Sequence, residues 1–224
     1  MRGVEGRTLR YRVVKALWLS GLKMVYGRRR LTITGVDNIP VEGPLLVVSN
    51  HLSMLDPVLY GALFPRNLFA MAKKELFPNR FAAWVWAGCN TFPVDRHGQS
   101  RAGLKTARSI LSDGGRLLMF LEGTRAESPG MKQAENGVAL LVRQNPCLVL
   151  PAAVWGTESA WPRGRRFPRR ASIHLCYGEP FSIPAEVLAS GDRQAISDYM
   201  AAQVAALLPP EYRGYYATAV PQAA

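Results

Sequence analysis

Two hydrophobic rhythms divide the chain. From Arg7 to Tyr26, Leu9, Val13, Leu17 and Val14, Trp18, Leu22, Val25 recur at helical spacing, with Arg10, Arg12, Lys15 and Lys23 interspersed, which predicts a basic amphipathic helix. After it, short apolar runs alternate with helical stretches. Leu31-Thr32-Ile33-Thr34 alternates like a strand, and Asp37-Asn38-Ile39-Pro40 is turn chemistry. Leu45 to Val48 reads as a buried strand, followed by a helix from Pro57 to about Phe64, with Asp56 as its N-cap. Pro65 ends that helix because proline disfavours the helical conformation at the preceding residue. Leu68–Met71 and the stretch from Gly88 to His97 are strand-like. Ser100 caps a predicted helix through Ser112, closed by Gly114-Gly115, and Arg116–Phe120 is a second buried strand. Ala134–Gln144 is read as a helix and Cys147–Val154 as a strand, in which Pro151 argues for an edge position or a bulge. Ile173–Tyr177 is a strand carrying His174 on one face. The last helix spans Asp192 to Leu208, with an Ile196, Met200, Val204, Leu207 stripe, and the tail after Pro209 reads as loose. The pattern predicts an α/β fold: a mostly parallel or mixed central sheet flanked by helices and preceded by the basic helix. Its divisions are residues 1–30, a domain over 31–208 and a tail over 209–224.

Charge changes this picture. The net charge of +12 is concentrated in two blocks. Residues 1–30 hold nine Lys/Arg against Glu5, and residues 161–170 hold five arginines and no acid; the remainder has fourteen bases and fifteen acids. Such blocks imply a surface that meets something anionic, a phospholipid leaflet or nucleic acid. The longest uncharged run of the first helix, Ala16–Leu22, is far below the ~20 residues that span a bilayer. No small-residue cleavage site follows it, so it is not read as a signal peptide. Trp18, Tyr26 and Arg28-Arg29-Arg30 suit a helix lying in an anionic membrane interface; the other reading is a helix packed on the domain with a solvated basic face. Cys89, Cys147 and Cys176 have no metal-ligand spacing and sit among apolar neighbours, as buried free thiols would. No internal repeat, Walker A loop, dinucleotide-binding fingerprint or zinc spacing is present.

Two loops carry candidate chemistry. In Asn50-His51-Leu52-Ser53-Met54-Leu55-Asp56, the imidazole can take a proton near neutral pH, and a carboxylate five residues later can fix its tautomer. That is the base and orienter of a triad without an enzyme nucleophile, suited to activating a substrate hydroxyl. The plainer reading is a loop histidine beside an N-cap. Leu121-Glu122-Gly123-Thr124-Arg125 leaves the next buried strand at the same edge, if the two strands are parallel. Gly123 admits a ligand close to the backbone, Thr124 offers a hydroxyl and Arg125 a phosphate-binding fork; Glu122 can hold an arginine or a sugar-like hydroxyl. Phe81–Trp86 is aromatic and suits an acyl-chain tunnel, an interfacial segment or ordinary core.

In order, these pieces resemble the glycerolipid acyltransferase superfamily of lysophosphatidate (1-acylglycerol-3-phosphate) acyltransferases. The resemblance is carried by Asn50-His51-x4-Asp56, by Gly88…Phe92-x-x-Asp95-Arg96, by Phe120-Leu121-Glu122-Gly123-Thr124-Arg125 and by Val149-Leu150-Pro151, over roughly residues 45–155. The family's Phe-Pro-Glu-Gly-Thr-Arg-Ser has Leu121 in place of its Pro and Ala126 in place of its Ser. The resemblance implies acyl transfer from acyl-CoA or acyl-carrier protein to the sn-2 hydroxyl of 1-acylglycerol-3-phosphate, giving phosphatidate. In it His51 is the general base and Asp56 orients the ring. Arg96, Arg125, Thr124 and the Gly123 amide hold the glycerol phosphate, with Glu122 among the acceptor-site residues. It implies no metal and no bound cofactor, and a peripheral enzyme on the cytoplasmic face of the cell membrane whose partners are a lysolipid, a thioester donor and an anionic membrane surface. A relative using another lysolipid acceptor shares the same motifs. A non-catalytic nucleic-acid-binding protein would explain the charge blocks but leave both loops without a purpose, so nucleic acid is not expected as a partner.

Overall fold

The computed structural model describes residues 9–80, 83, 84, 86, 89–94, 101–127 and 129–219. Its centre is a seven-stranded sheet in the order β1-β7-β6-β2-β5-β3-β4. The strands are β1 (Leu31–Thr34), β2 (Leu45–Ser49), β3 (Phe69–Lys73), β4 (Thr91–Val94), β5 (Arg116–Phe120), β6 (Leu148–Trp155) and β7 (Ile173–Tyr177). All neighbours are parallel except β6 and β7, so the sheet is mixed, as the apolar runs predict.

Buried strands with apolar residues on both faces require cover on both faces. In β2, Leu46 and Val48 face one core with α4 (Arg101–Ser112), α5 (Gly137–Gln144) and α8 (Arg193–Leu207), which follows the short α6 (Thr157–Ala160) and α7 (Ala185–Ala189). Leu45 and Val47 face the other, with α1 (Leu9–Val25), the four-residue α2 (Gly27–Arg30) beside it, and α3 (Leu55–Leu63). Each fully buried leucine or valine here contributes roughly 1.5–3 kcal/mol by leaving water. Ile196, Met200 and Val204 form the buried stripe of α8. Asp192 caps that helix by accepting from the amides of Gln194 and Ala195.

Several sequence readings differ from the structure. Pro151 is in a central strand, not at an edge, but the bulge reading holds: the antiparallel register slips by one residue between Val149↔Phe181 and Ala152↔Tyr177, and Pro151 sits at that break, where no ladder amide is required of it. There the Gly178 amide still donates to the Pro151 carbonyl. Asp56 lies inside the first turn of α3 and does not act as its N-cap; Met54 holds that position without a side-chain bond. The helix expected from Ala134 starts at Gly137. The three cysteines are free but only partly buried. The tail is not loose through Ala219: Tyr216 is buried, its hydroxyl accepts from the Ala134 amide at 2.8 Å, and it donates to Asp198 at 2.5 Å. Ser100, Gly88, Asp95 and Arg96 lie outside the described residues.

α1 packs through Tyr11, Val14 and Leu22, and Lys15 donates to the Phe64 carbonyl at the end of α3. Its other face exposes Leu9, Val13, Leu17 and Met24. No described helix is long and apolar enough to cross a membrane.

Candidate active site

Strand register builds the site. β2 and β5 are parallel, with Ser49 opposite Phe120. The chain therefore delivers His51 and Glu122–Arg125 to the same sheet edge, where open α/β sheets bind ligands. Hydrogen bonds lock the two loops together. The Leu121 amide donates to the Ser49 carbonyl at 3.0 Å, and the Ala126 amide to the His51 carbonyl at 2.8 Å. Asn50 is fully buried, and its side-chain amide exchanges two bonds with the Val154 backbone of β6, at 2.8 and 2.9 Å. It extends the ladder past the end of β2 and fixes where the histidine turn begins.

His51 Nδ1 lies 2.8 Å from Asp56 Oδ2, and the carboxylate is completely buried. The same oxygen accepts from the amides of Leu52 and Ser53, at 2.7 and 2.8 Å. Asp56 thus shapes the loop as well as the tautomer, because those two amides close the turn between the partners. The imidazole stacks on Phe120, centroids 4.0 Å apart and planes 15° apart. With Nδ1 engaged and one face covered, Nε2 is the basic nitrogen left for a substrate.

That histidine opens on a cavity of about 560 Å³, a size that suits a small ligand or part of a lipid. Met71, Leu76, Trp86 and Val138 form an apolar wall; Thr124, Arg125 and Arg163 line a polar one. Of the Phe81–Trp86 segment, Trp86 lines the cavity and Trp84 is half exposed. Gly123 has φ +63°, and a Cβ there would meet Glu135 Cγ at 2.9 Å, so the position requires glycine. The Thr124 hydroxyl accepts from Lys132 Nζ at 2.5 Å. The Arg125 guanidinium has its pKa lowered by burial and by neighbouring Arg163, although Asp56 opposes the shift. Arg125 and Arg163, held close together, favour an incoming anion, with Asp56 and Glu127, the latter 3.8 Å from Arg163, countering part of their charge.

Glu122 sits elsewhere in the architecture. It is buried; one oxygen accepts from the His51 amide at 2.9 Å and the other from the Lys132 amide at 3.0 Å. Burial pushes its carboxyl pKa up, while those two amides pull it down. Its lone pairs therefore hold the protein's own loops. Sequence reasoning missed Asn50's strand-like role, and it missed Arg163, whose Nη2 donates to the carbonyls of Arg125 and Ala126 at 2.7 and 3.3 Å. Neither has a local signal, because their partners lie far away in sequence.

The fold and the site define an acyl-transferring enzyme. A family model described as Acyltransferase matches residues 30–155, and the chain belongs to that family. Two bacterial relatives are called 1-acyl-sn-glycerol-3-phosphate acyltransferase. That of Streptococcus pneumoniae is 27% identical over 80% of this chain, which spans 66% of its length. That of Bacillus subtilis is 26% identical over 72% of this chain and 79% of its own. The crystal structure of the 1-acyl-sn-glycerophosphate (LPA) acyltransferase from Thermotoga maritima shares the fold, with a TM-score of 0.68 at 22% identity over 89% of this chain and 83% of that one.

Proposed function

We propose that the protein moves a fatty acyl group from acyl-CoA or acyl-carrier protein to the sn-2 hydroxyl of 1-acylglycerol-3-phosphate, giving phosphatidate for phospholipid synthesis. The His51–Asp56 contact of 2.8 Å, facing a cavity that also holds Arg125, carries the reading. Nε2 of His51 takes the proton of the acceptor hydroxyl as its oxygen attacks the thioester carbonyl. The tetrahedral intermediate collapses, the C–S bond breaks, and the thiolate leaves with that proton as a free thiol. Asp56 stabilises the imidazolium between the two steps. Arg125, Thr124 and the Gly123 amide hold the acceptor's phosphate, and Arg96 is assigned to the same task. Glu122 holds the His51 turn in register. The apolar wall takes the start of an acyl chain. No bound cofactor is needed for these steps.

The exposed apolar face of α1 supports peripheral attachment to a membrane, and the cytoplasmic face of the cell membrane is the leaflet proposed for it. The test is purified protein with lysophosphatidate and a panel of acyl donors. General-base help is worth about 10²–10⁴-fold, so His51→Ala loses at least that much turnover with its melting temperature retained. Arg125→Ala raises the acceptor KM. Turnover by His51→Ala equal to the wild type would refute the reading.

A further inference from the structure

The two positive blocks stand 130 or so residues apart in sequence, yet the sheet brings them to one place. β1 and β7 are parallel and begin side by side, with Leu31 opposite Ile173. Neighbouring strands are about 4.8 Å apart, so the segments entering them are adjacent. Arg29 and Arg30 end α2, immediately before β1; Arg169 and Arg170 come just before β7. β7 runs antiparallel to β6, with His174 opposite Trp155, so this is the edge at which β6 and β2 finish and His51 emerges.

The arm from Trp161 to Arg170 is fastened to the site. Ser53 Oγ donates to the Trp161 carbonyl at 3.0 Å, and Arg163 bonds the Arg125 and Ala126 carbonyls. Its far end is tied by Arg169, whose backbone amide donates to the Ala160 carbonyl at 2.8 Å and whose Nε donates to the Ser159 carbonyl at 2.7 Å. Between these anchors Arg165, Arg166 and Phe167 face outward, as does Arg170 just beyond Arg169; Phe167 is 70% exposed, with the Arg166 guanidinium 5.5 Å from its ring centre. The acid that meets this arm is Glu127, 3.8 Å from Arg163. No acidic partner of Arg29, Arg30, Arg165, Arg166 or Arg170 is found among the described residues. A folded arm that holds an aromatic ring in water among unpaired guanidiniums matches an anionic lipid interface, which takes both the ring and the charges. Nucleic acid would use the charges but gives no reason for the exposed apolar face of α1 ending at Met24, which is 80% exposed just before α2.

We infer that Trp161–Arg170 and Arg29-Arg30 form one cationic platform that grips anionic phospholipid headgroups and seats the cavity mouth on the leaflet. The platform is a second membrane contact beside the apolar face of α1. Its link to catalysis, delivery of a lipid acceptor, rests on the reading above; its lipid binding does not.

The experiment compares sedimentation of the full chain with phosphatidylcholine vesicles containing or lacking phosphatidylglycerol. The variants are Arg165→Gln/Arg166→Gln/Arg170→Gln, Phe167→Ser, and Arg29→Gln/Arg30→Gln. Each basic residue near such a surface contributes roughly fivefold. The triple variant is expected to lose about a hundredfold in affinity for phosphatidylglycerol vesicles, and the double variant about 20-fold. Their melting temperatures, and turnover on a short-chain lysophosphatidate dissolved as monomers, stay at the wild-type values. Phe167→Ser weakens retention on both vesicle types. Wild-type retention of the triple variant on anionic vesicles would overturn the inference. So would tighter, equally arginine-dependent binding to duplex DNA. Arginine-dependent vesicle binding by a protein that transfers no acyl group to any acceptor would sustain the platform and refute the enzymatic reading alone.

Discussion

Glu122→Gln separates two roles that the motif alone leaves merged. The carboxylate is 2% exposed, and its two oxygens accept from the His51 and Lys132 amides at 2.9 and 3.0 Å. A glutamine in the same rotamer has one acceptor oxygen, and its NH₂ faces the other amide donor. One buried N–H is left unsatisfied, which costs about 1–3 kcal/mol. For a domain of this size that is a fall of roughly 2–12 °C in melting temperature. The loop that loses its tie carries either His51 or Lys132, so on the proposed mechanism turnover falls while acceptor KM changes little. Thermal denaturation and steady-state kinetics with varied lysophosphatidate measure both. The pH dependence has a definite sign. Burial raises the folded pKa of Glu122 above its ordinary 4.5. Its contribution is therefore complete below that value and declines as pH climbs through the raised folded pKa. The stability gap between wild type and Glu122→Gln narrows over that rise. An unchanged melting temperature with a raised acceptor KM would refute this reasoning and make Glu122 a substrate contact.

Three further outcomes follow from named contacts. Asp56→Asn keeps an oxygen for the Leu52 and Ser53 amides but removes the charge facing the imidazolium; turnover falls about 10²–10⁴-fold with the fold intact, read by kinetics beside circular dichroism. Tyr216→Phe strips the Ala134 amide of its partner and Asp198 of one donor, and lowers stability in urea by about 1–3 kcal/mol; a truly loose tail would register no change. Leu17→Glu with Met24→Glu, at positions 66% and 80% exposed, reduces flotation with lipid vesicles at unchanged melting temperature. Full flotation of that variant would remove α1 from the membrane contact.

The alternation of Leu45–Val48, Arg116–Phe120 and Ile173–Tyr177 with helical stretches determined the strands almost to the residue, because each buries too much apolar surface to lie elsewhere. His51 and Asp56 were legible for a similar reason: five residues are few enough for local geometry to close the contact. Contacts between distant segments were not. Pro151 reads equally as an edge or a bulge residue until the register slip between Val149↔Phe181 and Ala152↔Tyr177 decides for the bulge, and Tyr216 reads as tail until Ala134 and Asp198 stand beside it. Glu122 could not be told from a ligand-binding carboxylate, since its amide partners are set by the parallel register of β2 and β5 and by the turn back to Lys132. Residue types and their spacing along the chain determined which groups this protein possesses. The sheet alone decided which of them face the cavity and which hold the cavity open, because strand pairing joins segments whose separation in sequence carries no record of their neighbours.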